Sequence, residues 1–345
     1  MAQQLKVPLL ALFLISSLLQ SASGQQDKPF LQRLFERIFG NNSSQISQAD
    51  DLTNHSVPPE ISFGQNFKFE IPPPPDPTAA KAFFEAASKF GLPDNLKDNL
   101  KLYENFVVSY DRRLKHPVWT LQHLTREKMK AETRANRNHS DYYSDSTVPD
   151  FLRPTVADYS PRDEYTYGHM CPAQDNHANQ TWMDWSHCLS NIAPQHKDLN
   201  AGLWNILEKY VRFLAGLSEN MYIVTGAAYI PSKVIGYQYG RDNFEVNYRV
   251  IGEKHVSVPT HFFKVWYTEN PDGKNYMEAF VLPNAGNLGK KINDYRIDIN
   301  KGLPEFEIIT GLEFFREVDR NKVIKPRDIL RKFYGLRDNR IQLNP

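Results

Sequence analysis

Cysteine is nearly absent: two of 345 residues, Cys171 and Cys188. That excludes a disulfide-stapled scaffold and a four-cysteine metal knuckle. No CxxC or HxxxH pair occurs, so a zinc set drawn from His169, Cys171, His177, His187 and Cys188 has little support from spacing. Net charge is lacking too. The 41 basic and 40 acidic residues leave +1, which excludes a chain that holds nucleic acid by bulk positive charge; any such surface is a local patch. The first 32 residues contain no arginine, unlike an Arg-rich mitochondrial presequence. The N-terminal apolar run, residues 7–19, is short of the ~20 residues that a spanning helix needs. No internal repeat is visible.

What is present begins with a leader. Lys6, the apolar run and then "QSASG", with Ala22 and Gly24 at the −3 and −1 positions, read as a secretory signal peptide over residues 1–24. The mature chain is then secreted or lumenal, with no stable membrane insertion; an uncleaved anchor or mitochondrial location is the alternative. Glycosylation sequons at Asn41, Asn42, Asn54, Asn138 and Asn179 agree with a secreted glycoprotein. In an oxidising compartment Cys171 and Cys188 read as one disulfide, worth about 3 kcal/mol for a loop of this size. In a reducing compartment they are two thiols.

Residues 25–77 form a polar, Pro-rich segment, with a short amphipathic stretch at 30–40 and "IPPPPDP" at 71–77, a stiff polyproline run. The folded domain is expected over 78–345. A helix over "TAAKAFFEAASKFG" should end at Gly91. "YENFVVSY" and "VWTLQHL" pair as a hairpin, and residues 125–165 form a long polar excursion. Leu203, Leu207, Tyr210, Val211 and Leu214 make one apolar helix stripe ending near Gly216. Four more strands follow, "MYIVTGAAYI", "FEVNYRVIG", "HFFKVWYT" and "YMEAFVLPNA", then helices near 303–311 and 326–334. Hairpin-length links make the sheet mostly antiparallel and the class α+β.

Three stretches carry chemistry: "YGHM" at 167–170, "CLSNIAPQ" at 188–195 and "LNAGLWNILE" at 199–208. His169 ends a strand, Asn200 opens the amphipathic helix, and Glu208 lies about two turns further on roughly the same face. Mg²⁺ prefers oxygen ligands and keeps waters, so one Asn carbonyl is a sufficient anchor. A neutral imidazole can take a proton from water near pH 7. The set suits phosphodiester hydrolysis. Each residue also has a plainer role: His169 in a loop or core, Asn191 in a turn, Asn200 as a helix N-cap, Glu208 as a surface charge.

"TYGH" and "SNIAPQHKDLNAGLWNILE" resemble the DNA/RNA non-specific endonucleases of the ββα-metal type, most closely the endonuclease G branch. Their pattern runs D-R-G-H, S-N-[IV]-[AT]-P-Q, L-N-x-x-x-W-x-x-L-E. "FGLPDNLK", "YENFVVSYDRRLKHPVWTLQHL", "YIVTGAAYIP", "VIGEKHVSVPTHFFKV" and "AFVLPNAG" extend the likeness to roughly residues 88–320. The resemblance implies a ββα-metal fold and a Mg²⁺-dependent endonuclease, Mn²⁺ able to substitute, acting on DNA with RNA left open. It implies His169 as general base, Asn200 as the direct metal ligand, Asn191 shaping the site, Glu208 orienting metal-bound water and Trp204 as core. Such relatives are often homodimers. The family's Asp and Arg before Gly-His are Thr166 and Tyr167 here. A tyrosine has one hydroxyl where arginine has a charged five-donor fork, so reduced activity is expected. Tyr167 stacking on a base, in a homologue that binds nucleic acid or a protein partner, is the competing reading. Arg162, five residues upstream, is the candidate for the missing charge.

Overall fold

The computed structural model describes residues 69–94, 99–159, 164–231, 233–238, 241–289, 291–324 and 329–338. The leader, the 30–40 stretch, Asn41, Asn42, Asn54 and Arg162 lie outside them. All described residues belong to one compact unit, Ala49–Pro345.

The polyproline run is extended, as its composition demands, and is laid against the domain: Trp185 Nε1 donates to Pro73 O at 2.9 Å. Helix α1 (Pro77–Ala87) starts where Pro77 supplies the first-turn geometry and Asp76 accepts from Ala79 N. It stops at Ser88, earlier than expected. Gly91, at φ +90°, serves the following turn.

The chain then builds β1 (Leu100–Leu102), β2 (Phe106–Asp111) and β3 (His116–Thr125), followed by the short α2 (Arg126–Lys130). After the 131–164 excursion come β4 (Tyr165–His169), α3 (Gln180–Ser186) and β5 (Ile192–His196). Next are α4 (Lys197–Leu199), a π-turn (Asn200–Trp204) and α5 (Asn205–Leu217). The second half holds β6 (Asn220–Ala228), β7 (Lys233–Gln238), β8 (Arg241–Glu245), β9 (Val250–Ile251), β10 (Val256–Ser257), β11 (His261–Glu269), β12 (Met277–Pro283) and β13 (Arg296–Ile297). Helices α6 (Gly302–Thr310) and α7 (Ile329–Asp338) follow.

Seven strands form an antiparallel sheet in the order β1-β2-β3-β6-β11-β12-β13. The class is α+β, with helices flanking the sheet. Its central strands are apolar on both faces because both are covered. Leu203, Leu207, Tyr210, Val211 and Leu214 pack against Phe262, Trp266 and Phe280 on one face. Phe263 meets Phe306 and Phe314 on the other, at ring distances of 5.3 and 5.4 Å. The "FEVNYRVIG" stretch is not one strand but the end of β8 and β9 with extended chain between.

The β4–β5 hairpin stands apart as its own two-stranded sheet, with Tyr167 opposite Pro194 and His169 opposite Ile192. Side chains alternate across it, so Tyr167 and His169 share a face. Gly168 is obligatory: a Cβ there would lie 2.5 Å from Gln195 Cβ and 2.9 Å from Ala193 O. Gly168→Ala should therefore destabilise the domain by about 1–3 kcal/mol through overpacking; a denaturant melt without loss of stability would refute this.

Candidate functional site

His196 ends β5 and begins the helix, its Nδ1 accepting from Asp198 N at 3.1 Å. The helix thus starts at Lys197, and Asn200 is not its N-cap as the sequence suggested. It sits one turn in, at the first residue of the π-turn, where Gly202 departs from helical dihedrals (φ −96°, ψ −109°). Such insertions recur at functional sites because they re-aim side chains. Here the Asn200 amide is brought to the hairpin, with Nδ2 donating to Tyr167 O at 3.4 Å.

Asn191 is wholly buried. Its Oδ1 accepts from Cys171 N at 2.9 Å, and Nδ2 donates to Cys171 O at 2.9 Å and Ser186 O at 2.7 Å. One side chain joins the exit of β4, the end of α3 and the entry to β5. All three of its side-chain hydrogen bonds go to backbone groups, so it braces the chain around β4 and β5. Asn191→Ala should cost about 2–4 kcal/mol by leaving buried backbone groups unpaired; an unfolding midpoint like wild type would contradict the clamp.

His169 is 7% exposed, with its Nε2 buried and without a hydrogen-bond partner among the described residues. Burial, then His187 and Arg137, hold its pKa well below the usual imidazole range, so the ring is neutral at pH 7. Its neighbours are rings: His187 edge-on at 4.8 Å and Tyr142 at 5.6 Å. Glu208 is half-buried, not a surface charge. Burial raises its carboxyl pKa against Arg212, Lys264 and Arg137, which lower it. Trp204 is core, as expected, with Lys264 Nζ 5.3 Å over its ring.

Tyr167 does not present a free face. Its ring stacks on Tyr142 at 3.7 Å and on Tyr159 at 4.8 Å, and its hydroxyl donates to Val156 O. Two near-parallel rings at these distances take both faces, so stacking on a base would require displacing one of them. Burial beside Tyr142 pushes its phenol up to about 12.

The expected disulfide is not formed: Cys171 and Cys188 are separate buried thiols. Cys171 Sγ accepts from Asn176 Nδ2 at 3.6 Å, and Cys188 Sγ from Ser190 Oγ at 3.3 Å. Each sulfur is engaged with its own neighbour. Burial pushes both thiols up, Cys188 to about 11, which makes them inert packing groups. Among the described residues no three His, Cys, Asp or Glu gather as a metal group, so the zinc set is not assembled. Asn138 and Asn179 are exposed, and Asn179 caps α3 through Trp182 N. No helix of the described residues is long and apolar enough to cross a membrane.

Sequence reasoning missed Arg137 and the ring set around it. Arg137, exposed on a 3₁₀ turn, lies near enough to act electrostatically on Tyr142, His169, His187 and Glu208. The only signal for it was the length of the polar excursion, since such loops tend to be functional.

A model of the DNA/RNA non-specific endonuclease family matches residues 85–321. The chain is 35% identical over 238 residues to Nuclease C1 of Cunninghamella echinulata var. echinulata, covering 68% of this chain and 89% of that one. It is 37% identical over 199 residues to bovine mitochondrial endonuclease G, covering 57% of this chain and 63% of that protein. It is 35% identical over 242 residues to the mitochondrial nuclease of Saccharomyces cerevisiae, covering 68% of this chain and 70% of that one. A solved structure described as the EndoG/EndoGI complex, showing the mechanism of EndoG inhibition, superposes with a TM-score of 0.61 at 33% identity, over 70% of this chain and 95% of that chain.

Proposed function

The chain belongs to the DNA/RNA non-specific endonuclease family of metal-dependent nucleases, and from that premise we propose a Mg²⁺-dependent endonuclease with His169 as general base and Asn200 as the one direct protein ligand. The substrate is DNA, with RNA open. The observation that carries this reading is a neutral, buried imidazole at the tip of a hairpin whose second strand runs straight into the helix bearing Asn200.

The donor set fits a hard cation. With Asn200 Nδ2 turned to Tyr167 O, Oδ1 is the hard oxygen left for the ion, and a single amide oxygen suits Mg²⁺, which keeps waters and takes phosphate oxygens in the rest of its shell. When bound, the metal would offset charge on the phosphate and the leaving oxygen. His169 takes a proton from the attacking water as its oxygen closes on phosphorus and the P–O bond to the leaving group breaks. Glu208, held by Arg212 and Lys264, is an acceptor that orients water at the site. Arg137 provides the positive charge absent at residue 167 and acts on His169 and Glu208 together.

The leader supports secretion, while the bovine and yeast relatives are named mitochondrial. The free thiols withdraw one argument for an oxidising compartment. A mature chain beginning at Gln25 would decide for secretion.

Plasmid cleavage by purified protein should be abolished by EDTA, restored by Mg²⁺ and lost in His169→Ala. A folded wild type that cuts under no metal condition, even Mn²⁺ at low salt, would end the enzyme reading. Because the neutral ring is the active form and its pKa is depressed, the rate should hold as pH falls past the ordinary imidazole value of ~6.5 and drop only below it. Arg137→Ala should lower kcat/KM by about 10²-fold, the scale of a charge-stabilising donor, whereas Arg162→Ala tests the upstream alternative. Unchanged kinetics for Arg137→Ala would remove its role.

A further inference from the structure

His187 has no part in the reading above, yet it is the ring nearest His169. It follows α3, and its Nδ1 lies 2.9 Å from Met183 O. That carbonyl can only accept, so Nδ1 carries the proton and Nε2 keeps the lone pair. The ring is 2% exposed and meets His169 edge-on, at 4.8 Å and 84°. It also meets Tyr142 at 5.1 Å and 58°. A catalytic imidazole is usually oriented by a hydrogen bond from a third group. His169 Nε2 has no hydrogen-bond partner among the described residues, the rings of His187 and Tyr142 pack on the imidazole, and His187 is tied to a helix backbone.

We propose that His187 is the positioning residue for His169, holding the imidazole of the base edge-on and taking the first proton that the pair accepts. This rests on His169 being the general base. Seven groups bear on His187: Arg137, Asp141 and Tyr142 from the excursion, Asp184 and the Ser186 hydroxyl of α3, His169 of β4, and Met183 O. Burial and Arg137 disfavour a proton on either imidazole, while the carbonyl, Asp184 and Asp141 favour one on His187. No carboxylate does the same for His169. Acidification thus puts the first proton on His187, and that charge keeps the second off His169. The base stays unprotonated further into acid than it would alone.

The test compares pH–rate profiles for DNA cleavage by wild type, His187→Ala and His187→Phe, with His169 imidazole titrations by NMR on the same proteins. In His187→Ala the packing is lost, so kcat at about pH 8 should fall about tenfold with KM within about twofold. His187→Phe keeps an edge-on ring and should recover most of that kcat, but its acid limb should move upward, so that its rate falls below wild type's at the acid end of the profile. The His169 titration should move upward in parallel. Wild-type kcat in His187→Ala, or an unmoved acid limb and unmoved His169 titration in His187→Phe, would overturn the proposal. If wild type cuts nothing, the nuclease reading falls, and the NMR titrations still decide whether His187 takes the first proton.

Discussion

The amide of Asn191 is the constraint on which the site depends. Its three hydrogen bonds reach the backbone of Cys171 and Ser186, just past β4 and at the end of α3. The backbone adds a fourth tie, Met170 N to Asn191 O at 3.0 Å. A net hydrogen bond is worth only about 0.5–1.5 kcal/mol, but a buried group left unpaired costs more. The clamp therefore acts less as stabilisation than as a penalty on any other arrangement. His169 lies two residues before Cys171 and His187 one residue after Ser186, so drawing those two points to one amide lets the rings meet at 4.8 Å.

Beneath the hairpin lies a set of buried charges that the apolar stripe of α5 would not by itself call for. Lys264, fully buried on β11, donates to Thr225 Oγ1 at 2.5 Å. Asp175 is held by Arg212 at 3.0 Å and by Gln122 Nε2 at 3.1 Å. Desolvation lowers the Lys264 ammonium pKa and raises that of Glu208, while each partner's charge opposes the shift. Such networks are weak sources of stability but leave few alternative registers, because breaking one pair strands a buried charge. Helix α5 is thereby held in both rotation and height, and Glu208 with it.

Much of this was legible in the sequence for a physical reason. The stripe from Leu203 to Leu214 and the strands β3, β6, β11 and β12 are long and periodic, so burial had to follow pattern. His169 at a strand end, and Gly168 where no Cβ fits, are local requirements that a short motif carries. What was hidden depends on tertiary approach. Arg137, Tyr142 and Tyr159 come from an excursion with no period, and nothing in their spacing says that they close on β4. The π-turn at Asn200 has no sequence signature of its own, so Asn before an apolar helix reads as a cap. The cysteines looked pairable because they were the only two, but sequence separation says nothing of where the sulfurs point.

With Tyr167 where the family has a strand arginine, the reading proposed above takes its positive charge from Arg137. A guanidinium on β4 would be held by the pleat and by Gly168 beside it. Arg137 instead lies on an exposed 3₁₀ turn, near enough to Tyr142 to lower the pKa of its phenol against burial. Tyr142 is itself clasped between Tyr167 and the two histidines. The tyrosine that stands where the family has a charge thus packs in the ring platform near which Arg137 lies. Electrostatic stabilisation of a transition state depends on donors already fixed when charge develops. A charge borrowed from a loop is less fixed, and with a net charge of +1 little background field assists it. On the role proposed for Arg137, the chemistry would turn on how the Tyr159–Tyr167–Tyr142 stack sets the course of the excursion, a packing problem more than one of motif.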